Sequence, residues 1–139
     1  MKAVLDTNPL VSALLQPRGP SGQIILRWQA RQFGLAVSRD ILTELANVLH
    51  RPHILRKHPI TESDIVNYLN YLRNFAEVAP GSLSLDVIPD DPKDNHVLAA
   101  AIETRCDYVV SSDHHLLDLH EFQGIKILSP REFLMLLAV

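Results

Sequence analysis

A short apolar run that ends at a carboxylate constrains the fold of this chain more than any other feature. Residues 3–5 (Ala-Val-Leu) predict a buried strand, and Asp6 follows them directly. Pro9 then predicts the start of a helix, because Pro is well tolerated in a first helical turn. In open α/β sheets, loops and helix N-termini leave a ligand crevice at the carboxyl ends of the strands. Asp6 is therefore either a helix cap or a member of a site at that edge.

Strand and helix patterns alternate along the rest of the chain. Further strands are predicted at 33–37, 77–79, 108–110 and 125–128, and helices at 24–32, 38–49, 61–75, 94–102 and 130–137. The Pro- and Gly-rich stretch 16–22 predicts a loop that ends at Ser21 as a helix N-cap. Trp28 is expected to pack in the core or an interface, and Phe75 to lie on a buried helix face. This alternation predicts a mostly parallel sheet with helices on both faces.

Length and composition indicate one ordinary globular domain spanning residues 1–139. The chain is 47% hydrophobic and 21% charged, and no apolar run approaches the roughly 18 residues of a membrane span. Asp6 interrupts the N-terminal apolar stretch, so no signal peptide is expected. Cys106 is the single cysteine and cannot form an internal disulfide. These features favour a cytoplasmic protein without a membrane partner.

The net charge of −3 conceals two oppositely charged segments. Residues 16–58 contain seven Arg and Lys residues and two acidic residues, whereas 59–139 contain five basic and thirteen acidic residues. Four of the basic residues lie in or beside predicted loops: Arg18, Arg51, Arg56 and Lys57. They are candidates for a phosphate-binding rim, since phosphates are attracted to clustered Arg and Lys. The alternative is that they lie on solvated helix faces.

Acidic residues cluster in the second half of the chain. Asp90, Asp91 and Asp94 lie within five positions, just before and within the first turn of an Ala-rich helix. Helix capping explains one of them, but their mutual repulsion favours a shared cation. Asp113 follows the predicted strand 108–110, so it repeats the arrangement of Asp6. Glu44 lies beside the apolar stripe of its helix, where a solvent-facing role is the ordinary interpretation.

Four segments, in their order along the chain, together resemble the motifs of the PIN domain family. They are Val4-Leu5-Asp6-Thr7-Asn8, Glu44 within Ile41-Leu42-Thr43-Glu44-Leu45, Asp91-Pro92-Lys93-Asp94-Asn95, and Ser112-Asp113-His114-His115-Leu116-Leu117. The resemblance covers nearly the whole chain. It is closest to the VapC-like branch, the toxin components of toxin–antitoxin systems.

The resemblance implies a fold, an activity and a set of site residues. The fold is a Rossmann-like three-layer α/β/α sandwich with a central, mostly parallel sheet, and the activity is Mg²⁺- or Mn²⁺-dependent cleavage of RNA. The family's four acidic positions fall on Asp6, Glu44, Asp94 and Asp113, and its supporting polar positions on Asn8, Asp91 and Ser112. Arg18, Arg51, Arg56 and Lys57 become candidate RNA contacts. The expected partners are a second copy in a homodimer and an antitoxin protein.

The chemistry of these residues agrees with that activity. Carboxylate oxygens suit hard ions such as Mg²⁺ and Mn²⁺, and one or two such ions can activate water and hold a scissile phosphate. Asp6, Asp94 and Asp113 are the expected metal contacts. Glu44 either binds a second ion or acts through water as a general base. His114 and His115 are candidates for an acid or a phosphate ligand, but they are neighbours on a predicted helix, where adjacent side chains point apart.

Three other classes of protein share part of this residue pattern. A haloacid-dehalogenase-type phosphotransferase needs a second Asp two positions after the first, where this chain has Asn8. A phospho-receiver domain needs paired acids near the first strand and a Lys after a late strand, and Ser111-Ser112-Asp113 supplies no such Lys. A non-catalytic PIN-like module that binds RNA or a partner would be expected to have lost a carboxylate, whereas all four are present.

Overall fold

The first strand lies at the centre of a six-stranded sheet in the computed structural model, which describes residues 1–88 and 92–138. The strands are β1 (Lys2–Leu5), β2 (Gly34–Ser38), β3 (Glu77–Ala79), β4 (Tyr108–Val110), β5 (Glu121–Phe122) and β6 (Ile125–Leu128), in the order β3-β2-β1-β4-β6-β5. The pairs among β3, β2, β1, β4 and β6 are parallel, and β5 pairs with β6 antiparallel. The mostly parallel sheet predicted from the sequence is therefore confirmed.

Helices cover this sheet and complete an α/β sandwich. They are α1 (Thr7–Leu15), α2 (Pro20–Gln29), α3 (Arg39–Leu49), α4 (Pro52–Lys57), α5 (Glu62–Phe75), α6 (Pro92–Glu103), α7 (His114–Leu117) and α8 (Pro130–Leu137). Ala3, Val4 and Leu5 are all fully buried, although successive side chains of a strand point to opposite faces. The centre of the sheet is therefore covered on both sides, as expected for parallel strands. Within residues 1–88 and 92–138, none of these helices has the length and apolar character to cross a bilayer.

The second helix begins earlier and ends earlier than predicted. Its first residue is Pro20, with Gly19 rather than Ser21 as the N-cap. A Cβ on Gly22 would lie 2.1 Å from the Pro17 carbonyl oxygen, so the preceding loop packs directly on the helix at this glycine. The helix ends at Gln29 because the chain turns at Arg31, whose φ of 63° is left-handed.

Helix α5 starts and ends as predicted, but its last residue is not buried. Thr61 and Asp64 form a capping box, and Ile65 and Leu72 are fully buried. The prediction that Phe75 is buried is wrong, since 68% of it is exposed. It is the last residue of α5 and packs against the Tyr71 ring, with 4.8 Å between the ring centroids. Tyr71 also contacts buried Trp28 edge to face, which gives Trp28 the predicted packing role.

The sequence did not predict β5, which has two residues and too little apolar pattern to recognise. It joins β6 through Gln123 and Gly124, both at positive φ, which is a compact hairpin connection. The other strands run parallel, so the turns after β1, β2 and β4 lie at one edge of the sheet. These turns carry Asp6, the start of α3 and Asp113 to the same region.

Candidate active site and metal centre

Asp6 ends β1 and caps α1 at the same time. Its Oδ1 accepts a hydrogen bond from the Thr7 backbone N–H at 2.7 Å, and its Oδ2 accepts one from the Ser111 hydroxyl at 2.8 Å. Only 8% of the residue is exposed. The helix cap that the sequence allowed is therefore present, and the second oxygen faces the turn after β4, so capping leaves it available to a site there.

The environment of Asp6 disfavours its ionised form. Burial raises the pKa of its carboxyl above the ordinary value, and the hydrogen bonds from Ser111 and Thr7 oppose this rise. The negative charges of Glu44 and Asp113 raise the pKa further. A cation beside Asp6 would reverse this unfavourable balance, since an opposite charge stabilises a carboxylate.

Glu44 points from α3 towards the N-terminus of α1. The Thr7 hydroxyl donates to its Oε2 at 2.9 Å, and the Lys93 ammonium lies 3.1 Å from its Oε1. Its side chain is 28% exposed, whereas that of Lys93 is 68% exposed. Glu44 is therefore not a purely solvent-facing helix residue. It is held between α1 and α6 by a hydroxyl and a cation.

Asp94, Asp113 and His115 bring three ligand atoms together. Asp94 lies in the first turn of α6 and is 3% exposed, and Asp113 is the N-cap of α7. The Asp113 backbone N–H donates to the Ser111 hydroxyl at 3.0 Å, and its Oδ1 accepts from the His115 N–H at 2.9 Å. One carboxylate oxygen of each Asp and one imidazole nitrogen lie within 4.8 Å of one another.

All four predicted acidic residues line one cavity of about 290 Å³. Its lining comprises Asp6, Thr7, Asn8, Glu44, Val48, Arg51, Lys93, Asp94 and Asp113. A neighbouring cavity of about 270 Å³ shares Glu44, Arg51 and Lys93 and continues along α3 and α6 to His96. A carboxylate-rich cavity thus opens beside a wall that carries two cations.

Several other predicted residues lie elsewhere. Ser112 is exposed and lines a separate cavity with residues of the α1–α2 connection and the start of α8. The hydroxyl that bonds Asp6 belongs instead to Ser111, because alternate residues at the end of β4 face opposite sides. Arg18, Arg56 and Lys57 are exposed and absent from the cavity lining among the described residues. Asp91, like Asp90, lies outside the described residues.

The site also contains residues whose contacts there the sequence did not predict. Thr7 and Lys93 stand inside the quoted motifs, but only their contacts with Glu44 indicate a function. His115 was expected to point away from its neighbour. The His114 and His115 rings are instead only 4.2 Å apart between centroids, and His115 faces the carboxylates.

The donor atoms fit a hard divalent cation. Carboxylate oxygens from β1, α3, α6 and the start of α7 meet in one small cavity, and oxygen donors suit Mg²⁺ and Mn²⁺. Burial, and to a smaller extent the charges of Glu44 and Asp113, raise the pKa of Asp6, and a nearby cation would oppose this rise. Asp6, Asp94, Asp113 and Glu44 are the residues that would hold such an ion.

Comparison with known proteins agrees with this fold. The family model of the PIN domain matches residues 2–115, so the chain belongs to the PIN domain family. An uncharacterized protein of Methanocaldococcus jannaschii is 25% identical over 142 residues, which cover 96% of this chain and 90% of that protein.

A solved structure with the same fold is VapBC2 from Rickettsia felis bound to a DNA fragment from their promoter. The similarity covers 91% of this chain and 97% of that chain, with a TM-score of 0.57 and 16% sequence identity. At this identity the match concerns the fold.

Proposed function

We propose that this protein is a divalent-metal-dependent endoribonuclease of the VapC type, the toxin of a toxin–antitoxin pair. The observation that carries the proposal is the convergence of Asp6, Glu44, Asp94 and Asp113 on one cavity with Arg51 and Lys93 at its wall. Membership of the PIN domain family supports nuclease chemistry. The fold shared with VapBC2 supports the toxin assignment.

The carboxylates divide into two groups by their surroundings. Asp94 and Asp113 present close ligand atoms for a Mg²⁺ or Mn²⁺ ion, with Asp6 beside them. Glu44 is bonded to Thr7 and Lys93, so it is placed for a second ion or for a water molecule that it deprotonates. When bound, the ion supplies a Lewis acid that polarises the phosphodiester and lowers the pKa of water.

Hydroxyl groups hold the carboxylates in position. Ser111 donates to Asp6 and accepts from the Asp113 backbone, so it links the ends of β1 and β4. The Thr7 hydroxyl likewise donates to Glu44, so it links the start of α1 to α3. These bonds fix the positions of like charges before substrate arrives, and such prior ordering lowers the cost of binding a phosphodiester in a reactive geometry.

Cleavage of RNA with and without a divalent ion tests the proposal. We expect the purified protein to cleave mixed RNA with Mg²⁺ or Mn²⁺, to lose cleavage in EDTA and to regain it when either ion is added in excess. Gel analysis of the fragments gives the measurement. Cleavage that persists after complete metal removal would exclude the mechanism. RNA binding without cleavage under any ion would favour the non-catalytic binding module.

Arg51 is expected to bind RNA phosphate, because it lines both the carboxylate cavity and its neighbour. Arg51→Ala should weaken RNA binding and reduce the slope of log K against log salt by about 0.7 for one lost single-strand phosphate contact. Arg18→Ala is the matched control, since Arg18 is exposed away from both cavities and should leave the slope unchanged. Equal slopes for both variants would show that Arg51 makes no phosphate contact and only faces solvent.

The partner assignment follows from the same proposal. The solved structure with this fold is VapBC2 bound to a DNA fragment from their promoter, which supports an antitoxin protein as a partner of this chain. We also propose, from the family resemblance and the composition, that the toxin acts as a homodimer in the cytoplasm. Co-expression with the product of an adjacent small reading frame, followed by size-exclusion chromatography, would test both partners. Failure of that product to bind would remove the toxin assignment without affecting nuclease activity.

A further inference from the structure

We infer that His115 is a nitrogen ligand of the metal held by Asp94 and Asp113, and that it makes the site prefer Mn²⁺ to Mg²⁺. This inference rests on the proposed metal-dependent function and specifies its cofactor. It assigns a side chain that lies outside the four acidic positions.

The distances around His115 fit shared coordination. Its Nδ1 lies 3.8 Å from Asp113 Oδ1 and 4.0 Å from Asp94 Oδ2. Both separations exceed a hydrogen bond. Two ligands that each lie about 2.1 Å from one ion are separated by about 3.0 to 4.2 Å, depending on the angle between them. The His115 nitrogen therefore already lies at ligand spacing from one oxygen of each carboxylate.

The backbone holds His115 in this position. Its backbone N–H donates to Asp113 Oδ1, the same oxygen that the ring faces. This bond holds the start of the His115 side chain next to that carboxylate. Asp94 comes from α6, and His115 thus spans the gap between α6 and α7. His114 lies at 4.0 Å from Asp113 through its own Nδ1, is 77% exposed, and has no recorded pairing with Asp94 among the described residues.

The identity of the ligand atoms determines the preference for one ion. Mg²⁺ binds oxygen almost exclusively and retains several waters, whereas imidazole nitrogen is a better ligand for the later first-row metals. Mn²⁺ accepts both carboxylate and imidazole donors. A set of two carboxylates and one imidazole should therefore bind Mn²⁺ more tightly than Mg²⁺, and the difference should depend on His115.

Electron paramagnetic resonance of bound Mn²⁺ tests this directly. Titration of Mn²⁺ into metal-free protein reports binding through loss of the free-ion signal, and pulsed measurements detect a ¹⁴N nucleus bonded to the ion. We expect ¹⁴N coupling in the wild type, replaced by ¹⁵N coupling when histidine is ¹⁵N-labelled. His115→Ala should lose the coupling and raise the Kd for Mn²⁺ at least about tenfold. Its Kd for Mg²⁺ should change by less.

His114→Ala is the matched control, because it removes the adjacent imidazole and should keep both the ¹⁴N coupling and the Mn²⁺ affinity. Circular dichroism of both metal-free variants checks that each is folded. Tight Mn²⁺ binding without ¹⁴N coupling in the wild type would overturn the role of His115 and leave the nuclease proposal standing. Coupling retained in His115→Ala but lost in His114→Ala would also overturn it. Absence of any Mg²⁺ or Mn²⁺ binding would overturn both proposals.

Discussion

Asp94→Asn is expected to lower RNA cleavage by more than about 100-fold, the upper end of what is lost when a residue that merely orients a metal ligand is removed. Asp94 is almost fully buried in the first turn of α6, and its carboxylate lies within 4.8 Å of the other two ligand atoms. Asn has the same shape but no charge, so the change weakens metal binding with little effect on packing. Single-turnover cleavage and Mn²⁺ titration measure the two effects.

The control for this variant is Asp86→Asn. Asp86 is exposed in the segment before α6 and is absent from the lining of the carboxylate cavity among the described residues. The Asp86→Asn variant should cleave RNA at the wild-type rate. If Asp94→Asn retains wild-type cleavage and metal affinity while folded, Asp94 has no role in the site and the assignment of α6 to it is wrong.

Asp6→Asn is expected to raise the melting temperature of the metal-free protein at pH 7 by about 3 °C or more, which corresponds to roughly 1 kcal/mol in a domain of this size. Burial, together with Glu44 and Asp113, disfavours the charge of Asp6. Asn retains an oxygen for the Thr7 N–H, and the Ser111 hydroxyl can rotate to accept from the new amide. Thermal unfolding in EDTA measures the change.

The stability of the metal-free protein should fall as Asp6 ionises with rising pH, as expected for a carboxyl whose pKa is raised in the folded state. The folded protein binds the Asp6 proton more tightly than the unfolded chain does, so ionisation of Asp6 destabilises the fold as pH rises from its ordinary value of 3.8 through the raised value. Lowering the pH through the same range relieves this penalty. The stability gain from Asp6→Asn should therefore be present at pH 7 and absent at low pH.

A divalent metal ion should reverse the order of the melting temperatures of the wild type and Asp6→Asn. Mg²⁺ or Mn²⁺ binds only the folded site, so it should stabilise the wild type more than Asp6→Asn. Asp107→Asn is the control, because this exposed carboxylate precedes β4, at the opposite end of the strand from Asp113, and accepts from the Lys2 N–H. A metal-free Asp6→Asn protein that melts below wild type, with an equal metal shift in both, would show that Asp6 is only a helix cap.

The sequence predicted the parts of the site that follow strands. Asp6 directly follows one short apolar run and Asp113 lies three residues after another, and parallel strands bring such positions to one edge of the sheet. The role of Glu44 could be predicted only from the family resemblance, because a side chain beside the apolar stripe of α3 can equally well face solvent. Its inward orientation depends on Thr7 and Lys93, which come from other elements.

The sequence could not predict side-chain direction at the ends of elements. Ser111 and Ser112 are chemically identical, and a shift of one residue decides which of them reaches Asp6. Counting charges along the sequence also could not show which basic residues lie near the site. Arg18 and Arg51 belong to one basic segment, but only Arg51 lies at the carboxylate cavity, because it follows α3 as the N-cap of α4 while Arg18 lies in an exposed turn.

The central position of β1 has a consequence for how the chain is made. Its neighbours are β2 and β4, so β1 cannot gain its second partner until residues 108–110 have left the ribosome. At about 5 to 20 residues per second, Asp6 is made roughly 5 to 20 s before Asp113. Throughout that interval Asp6 is present without a complete cavity. A nascent chain therefore lacks the assembled acidic site until Asp113 has been made.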